Sequence, residues 1–215
     1  MLFLIGLQFS IFSFWGSKVL SNYLERIKNY NIRQASIVPE RAALLIIDCQ
    51  QRFGYAVAPI LDNIISLVRC CRESGIKVIF TRHGHHEPVD ENCMMSIWWG
   101  GLAKYGTPEW EILEELQADP ERDLIIDKDT YSAFYQTDLE DEFRRSGVSD
   151  LIICGVFTNC CCETTARAAF VFDYRVFFVA DATAASSEDI HICSLKSLAH
   201  SCAYVIDTKQ VILPP

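Results

Sequence analysis

From residue 42 onward the chain alternates short apolar runs with amphipathic segments. Six runs, Ala42 to Ile47, Lys77 to Thr81, Asp123 to Ile126, Asp150 to Cys154, Arg175 to Ala180 and Cys202 to Ile206, have the length and composition of buried strands. Between most of them, Pro59 to Ser74, Leu139 to Ser146, Cys160 to Phe172 and Ser187 to His200 carry apolar residues at helical spacing. Gly75 and Gly147 stand where two of these helices end, as C-caps. Strands bounded by helices, with no hairpin signals between them, imply a mainly parallel sheet covered on both faces. The predicted fold is a single-domain, three-layer α/β/α sandwich of about six strands.

Arg82 to Pro120 breaks this rhythm. It holds Trp98, Trp99, Tyr105, Trp110 and three of the five histidines, with turn signals at Gly100-Gly101 and Gly106-Thr-Pro. Long insertions are uncommon in compact domains, so this one is read as a lid or pocket wall. The opening MLFLIGLQFSIFSFWGSKVL is apolar but lacks a basic leader and a small-residue cleavage site, and its apolar run falls short of the roughly 20 residues of a span. It is read as part of an N-terminal extension over residues 1–40, continued by SNYLERIKNYNI as a packing helix, ahead of a domain over residues 41–215. Membrane association is not expected.

Composition narrows the function classes. A formal net charge of −9 with scattered basic residues excludes a nucleic-acid face. Ten cysteines in a chain with a normal core composition, several of them adjacent, do not form a regular disulfide framework. Free thiols and a reducing, cytoplasmic setting follow as expectations.

In an open parallel sheet, ligands bind beyond the carboxyl ends of the strands, where the strand order reverses. Asp48 follows the first predicted strand, Lys128 the third, and Thr158, Asn159 and the run Cys160-Cys161-Cys162 the fourth. Taken singly, each could be a strand-end charge in solvent or a small core residue. Together, an acid, an amine and a thiol on one rim are the parts of covalent acyl transfer.

Asp-x-Gln-x-x-Phe at Asp48, Gln50 and Phe53, Lys-x-x-Tyr-Ser-Ala-Phe from Lys128 to Phe134, and Gly-x-x-Thr-x-x-Cys at Gly155, Thr158 and Cys161 occur in order, followed by Ala180-Asp181-Ala182 after the next strand. Over about residues 40–207 this set resembles the isochorismatase-like cysteine hydrolases, which include nicotinamidases, N-carbamoylsarcosine amidases and ureidoacrylate amidohydrolases. The resemblance implies Cys161 as nucleophile, Asp48 as proton acceptor and donor, and Lys128 holding the ion pair. It also implies an oxyanion hole from the backbone N–H groups of Phe157 and Cys161, beside a non-proline cis peptide at Val156-Phe157. Asn159 is a good N-cap, which places Cys161 in a first helical turn where N–H groups and Lys128 would favour a thiolate. Cys160 and Cys162 are read as packing residues.

The resemblance also frames the substrate. Nicotinamidases carry an Asp-x-His motif and further histidines that hold a metal; here a His stands in place of the Asp. His83, His85 and His86 are weak ligand candidates without a fourth partner, which argues against nicotinamide, and no cofactor is expected. Phe53, Trp98, Trp99, Tyr131, Phe134 and Phe157 are assigned to an aromatic wall around a small amide or ureide. Self-association into a homo-oligomer is expected. Two alternatives stay open: vinyl-ether hydrolysis of the isochorismatase type, which Ile97-Trp-Trp-Gly-Gly-Leu102 also resembles, and a non-catalytic binding module.

Overall fold

The computed structural model describes residues 22–212. The apolar opening segment lies outside the described residues, so the reading of it as part of a packing extension is not addressed. The described part of that extension begins with helix α1 (Tyr23–Ile27), capped by the Asn22 side chain, and it inserts Tyr23 and Ile27 into the core.

Six parallel strands follow: β1 (Ala42–Ile47), β2 (Lys77–His83), β3 (Leu124–Lys128), β4 (Asp150–Val156), β5 (Arg175–Ala184) and β6 (Tyr204–Ile206). Their spatial order is β3-β2-β1-β4-β5-β6, so the chain winds outward in both directions from the seam between β1 and β4. Parallel strands need crossover connections, and the helices that supply them cover both faces. In chain order these and the remaining helices are α2 (Gly54–Val57), α3 (Leu61–Glu73), α4 (Met94–Trp99), α5 (Leu139–Ser146), α6 (Glu163–Val171), α7 (Glu188–Ser201) and α8 (Thr208–Ile212).

The period-two alternation of a strand divides β1 between two cores. Ala43, Leu45 and Ile47 pack with α1, α5, α6 and α7, through side chains such as Ile27, Phe143, Ala166 and Leu195. Ala42, Leu44 and Ile46 pack with α2, α3 and α8, through Val57, Ile64, Leu67 and Val211. Helix ends obey the expected chemistry. α5 opens on Glu140, Asp141 and Glu142 and closes on Arg144 and Arg145, complementing its dipole, and stops at Gly147 with φ +69°.

Four strands, β2 to β5, run beyond their predicted ends, while β1 matches its prediction and β6 starts only at Tyr204. β2 continues to His83 and β3 to Lys128, because those residues still pair with each other across the sheet. β5 runs to Ala184, so Ala180-Asp181-Ala182 lies inside it: after an irregularity near Ile153, pairing with β4 resumes at Gly155–Thr183 and Val156–Ala184. The helix expected over Pro59 to Ser74 begins at Leu61, after short turns over Gln51–Ile60.

Candidate active site

The sheet brings Asp48, Lys128 and Cys161 to its carboxyl edge from three strands. Asp48 is the first residue beyond β1, Lys128 ends β3, and Cys161 follows β4. Two backbone features set their approach. Gly155 has φ +111°, and a Cβ there would lie 2.1 Å from the Ile47 carbonyl oxygen, so only glycine lets the end of β4 press against β1. Asp48 itself adopts φ +50°, a left-handed conformation unfavourable for a residue with a Cβ and typical of functional sites.

Thr81 holds that conformation from β2, the strand between β1 and β3. Its hydroxyl accepts from the Asp48 N–H (3.1 Å) and donates to Asp48 Oδ1 (2.6 Å). The other carboxylate oxygen, Oδ2, accepts from Lys128 Nζ at 2.7 Å, and Nζ also donates to the Thr130 carbonyl at 2.9 Å. The Cys161 thiol completes the group, close enough to the Asp48 carboxylate and the Lys128 ammonium for both to act on its ionisation. Asp48, Lys128 and Cys161 are all buried.

Electrostatics follow from this packing. Burial alone would lower the Lys128 pKa, but the Asp48 carboxylate and the Cys161 sulfur outweigh it, so the pKa is raised and the amine stays an ammonium. Burial pushes the Cys161 thiol well above its ordinary value; Lys128 pulls it down and Asp48 pushes it up. Burial thus opposes the thiolate that the helix start and Lys128 are expected to favour, and ionising the thiol calls for a proton acceptor at hand.

Residues Thr158–Cys162 form a π-helical turn leading into α6, and Phe157, not Asn159, occupies the capping position. The Phe157 carbonyl accepts from the N–H groups of Cys160 (3.1 Å) and Cys162 (3.2 Å), on either side of Cys161. Asn159 instead directs its side-chain amide at Cys160 Sγ (3.3 Å). The Val156-Phe157 peptide is cis. Cys162 is sealed in the core, whereas Cys160 is half-buried with its sulfur on the Tyr131 hydroxyl.

The aromatic assignments divide. Phe53 meets Phe157 edge-on with centroids 5.6 Å apart, and Tyr55 joins them at 6.5 Å. Trp99 Nε1 donates to the Tyr131 hydroxyl at 2.7 Å, and Tyr131 in turn borders Cys160 and Cys161. Two residues are corrected. Phe134 is 9 % exposed and packs among Phe143, Phe172 and Tyr174 in the core. Trp98, beside Trp99 on α4, is 72 % exposed and points into solvent rather than closing a wall.

The insertion after β2 is rooted at Gln50. The buried Gln50 amide donates to the carbonyls of His83 (3.0 Å) and Trp110 (2.7 Å), and its oxygen accepts from the His83 N–H at 2.8 Å. A cavity of about 300 Å³ opens beside Lys128, bordered by His85, His86, Tyr105, Asp129 and Tyr135.

The histidines form no three-ligand cluster among the described residues. His83 and His85 meet edge-on, with centroids 5.2 Å apart, while His86 turns onto Tyr105. The Lys128 ammonium also faces His83, which a divalent cation would have to oppose; burial first, then that charge, holds His83 at a pKa of about 4.

Thr81 and Tyr55 were not singled out from sequence as parts of the site, and Gln50 stood in the Asp48 motif without an assigned role. Thr81 carried one legible signal, a lone hydroxyl closing the apolar run Val78-Ile-Phe-Thr81 at a strand's carboxyl end.

A doubly wound α/β sheet with a carboxylate, an ammonium and a thiol grouped above its switch point defines a hydrolase of the α/β-sandwich class. The chain belongs to the isochorismatase domain family, whose model matches residues 42–210. It is 41% identical over 186 residues to nicotinamidase 3 of Arabidopsis thaliana, covering 86% of this chain and 93% of that protein. It is 32% identical over 184 residues to enterobactin synthase component B of Escherichia coli strain K12, covering 82% of this chain and 64%, less than two thirds, of that protein. The crystal structure of a cysteine hydrolase from Pseudomonas syringae pv. phaseolicola 1448A matches with a TM-score of 0.79 at 30% identity, covering 83% of this chain and 94% of that one.

Proposed function

We propose that the protein is a cysteine amidohydrolase that cleaves the C–N bond of a small carboxamide through a thioester. The observation that carries this reading is the buried Lys128–Asp48 pair, 2.7 Å apart, with the Cys161 thiol beside both groups. In the first step Asp48 takes the thiol proton and the sulfur attacks the carbonyl carbon. The oxyanion is received by the Phe157 and Cys161 N–H groups, each such donor being worth roughly 3 kcal/mol of transition-state stabilisation. Asp48 then gives the proton to the departing nitrogen and the C–N bond breaks. Water, deprotonated by Asp48, opens the thioester and regenerates the thiol and a carboxylic acid. Lys128 stays an ammonium throughout and keeps the Asp48 carboxylate in place.

Phe53, Phe157, Tyr131 and Trp99 suit a flat, partly apolar substrate. The 41% identical Arabidopsis nicotinamidase makes nicotinamide the first compound to try, although the metal-ligand motif is altered. All ten cysteines are free, which supports a reducing compartment such as the cytoplasm. Self-association also belongs to this proposal, supported by Ile97 and Trp98 exposed on α4.

The test is a panel of small amides and ureides, nicotinamide first, with release of ammonia measured and the stalled enzyme examined by mass spectrometry. An acyl adduct on the peptide Gly155–Arg167, lost in Cys161→Ala, is expected. The similarity to enterobactin synthase component B favours one competing reading, ether hydrolysis. Under that reading Cys161→Ala keeps its activity and only Asp48→Ala loses it.

A further inference from the structure

Beneath the nucleophile turn lies a buried polar link that the proposed chemistry does not use. Thr158, the first residue of the turn, and His191, in the first half of α7, are both fully buried, and Thr158 Oγ1 lies 2.8 Å from His191 Nδ1. The backbone of Ala180 in β5 adjoins the His191 ring. Tyr23 of α1 stands edge-on to that ring, with centroids 4.7 Å apart, and Arg26 of α1 pairs with Glu188 at the start of α7. The path therefore runs from α1, which precedes the matched family domain at residues 42–210, through His191 to Thr158 and the turn carrying Cys161.

A buried hydroxyl–imidazole pair is informative because both groups need partners in a region without water. Burial, reinforced by Arg26, holds His191 at a pKa of about 4, so the ring is neutral and carries one N–H. Thr158 Oγ1 and His191 Nδ1 share a hydrogen bond in either tautomer. The bond then fixes the rotamer of the residue that opens the turn, three positions before the thiol. A π-helical turn has no regular i→i+4 ladder to hold its register, which gives such an anchor a purpose.

We propose that His191 is a positioning residue for Cys161, fixing the π-helical turn through the Thr158 hydroxyl, and that α1 belongs to the working enzyme because Tyr23 fixes the His191 ring. The proposal rests on the reading of Cys161 as the nucleophile.

Full-length Thr158→Val, Thr158→Ser, His191→Phe and Tyr23→Ala proteins, with Cys161→Ala as reference, are measured in two ways. The first is hydrolysis of nicotinamide; the second is the rate at which iodoacetamide labels the Cys161 peptide. Thr158→Val and His191→Phe are expected to lower kcat by about 10- to 100-fold with KM changed by less than about threefold, the signature of a displaced nucleophile. Thr158→Ser, which keeps the hydroxyl, restores the rate to within about threefold, and Tyr23→Ala loses about three- to tenfold. Thr158→Val and His191→Phe combined lose no more than the worse single variant. Full kcat in folded Thr158→Val, or multiplicative losses in the double variant, overturn the proposal. If His191→Phe does not fold, the Val and Ser variants decide alone. If wild type hydrolyses no amide or ureide of the panel, or Cys161→Ala retains turnover, the amidase reading fails separately. The labelling rates then decide: a drop of about tenfold in Thr158→Val supports the proposal, and an unchanged rate refutes it.

Discussion

Replacing Lys128 by methionine isolates the electrostatics of the site, because the side chain keeps its length and loses only its charge. In the native protein Nζ and Asp48 Oδ2 lie 2.7 Å apart, with side-chain exposures of 0 % and 2 %. At an effective dielectric constant of about 20, two unit charges at that distance attract by about 6 kcal/mol. Desolvating both ions cancels much of this, so the pair adds little net stability over an apolar pair. Removing one partner is different: it strands a buried carboxylate, and the cost is about 3–5 kcal/mol. For a chain of this size each kcal/mol lowers Tm by roughly 2–4 °C, so Lys128→Met should melt about 6–20 °C below wild type at pH 7. The Asp48→Asn/Lys128→Met double variant, with neither charge, should recover most of that loss while staying inactive. Thermal unfolding followed by circular dichroism measures both. A single variant within about 3 °C of wild type, or a double variant less stable than Lys128→Met, would refute the assignment of Lys128 as the buried counter-ion.

Three further outcomes follow from the same structure. Gly155→Ala sets a methyl group against the Ile47 carbonyl at φ +111° and should cost more than about 4 kcal/mol, read as a collapse of the urea midpoint or of soluble expression. His83 and His191 are held at pKa values of about 4, so the unfolded chain binds more protons than the folded one below its own pKa of about 6.5. Stability should therefore fall from pH 7 toward pH 4 by roughly 3 kcal/mol per histidine and level off below that; a His83→Gln variant with an unaltered slope in pH-dependent urea titrations would contradict it. Phe134→Ala should lose about 3–5 kcal/mol of stability with turnover per folded molecule unchanged, since the ring packs in the core; a selective change in KM would restore it to the pocket.

The layer order and strand count were readable from periodicity because buried parallel strands are apolar on both faces, and the amphipathic segments between them leave no other partner. Asp48 and Lys128 were readable because each closes an apolar run at the sheet's carboxyl edge, whereas the choice of Cys161 among three adjacent thiols came from the family resemblance. What stayed hidden depends on long-range contact. Whether Phe134 faces a substrate or Phe143 is decided by how α5 docks, and local sequence does not encode that. The continuation of β5 past Ala180 depends on pairing with β4 beyond an irregularity, which strand propensity cannot register. Thr81 and His191 act through residues 33 positions away, and a hydroxyl or imidazole within an apolar segment reads equally well as a tolerated core residue. Asn159 shows the opposite error. Its capping preference was real but local, and the chain begins the turn two residues earlier.

The Gln50 root has a consequence for how this catalyst can change. One amide, two positions after the acid, fastens both the end of β2 and the Trp110 segment, so the two ends of the insertion are tied to the reactive machinery. Between them Trp99 still reaches Tyr131, but Met94, Ile97 and Trp98 face outward at the tip. Selectivity can thus be rewritten at the tip by exchange or lengthening, while the reacting groups keep their alignment.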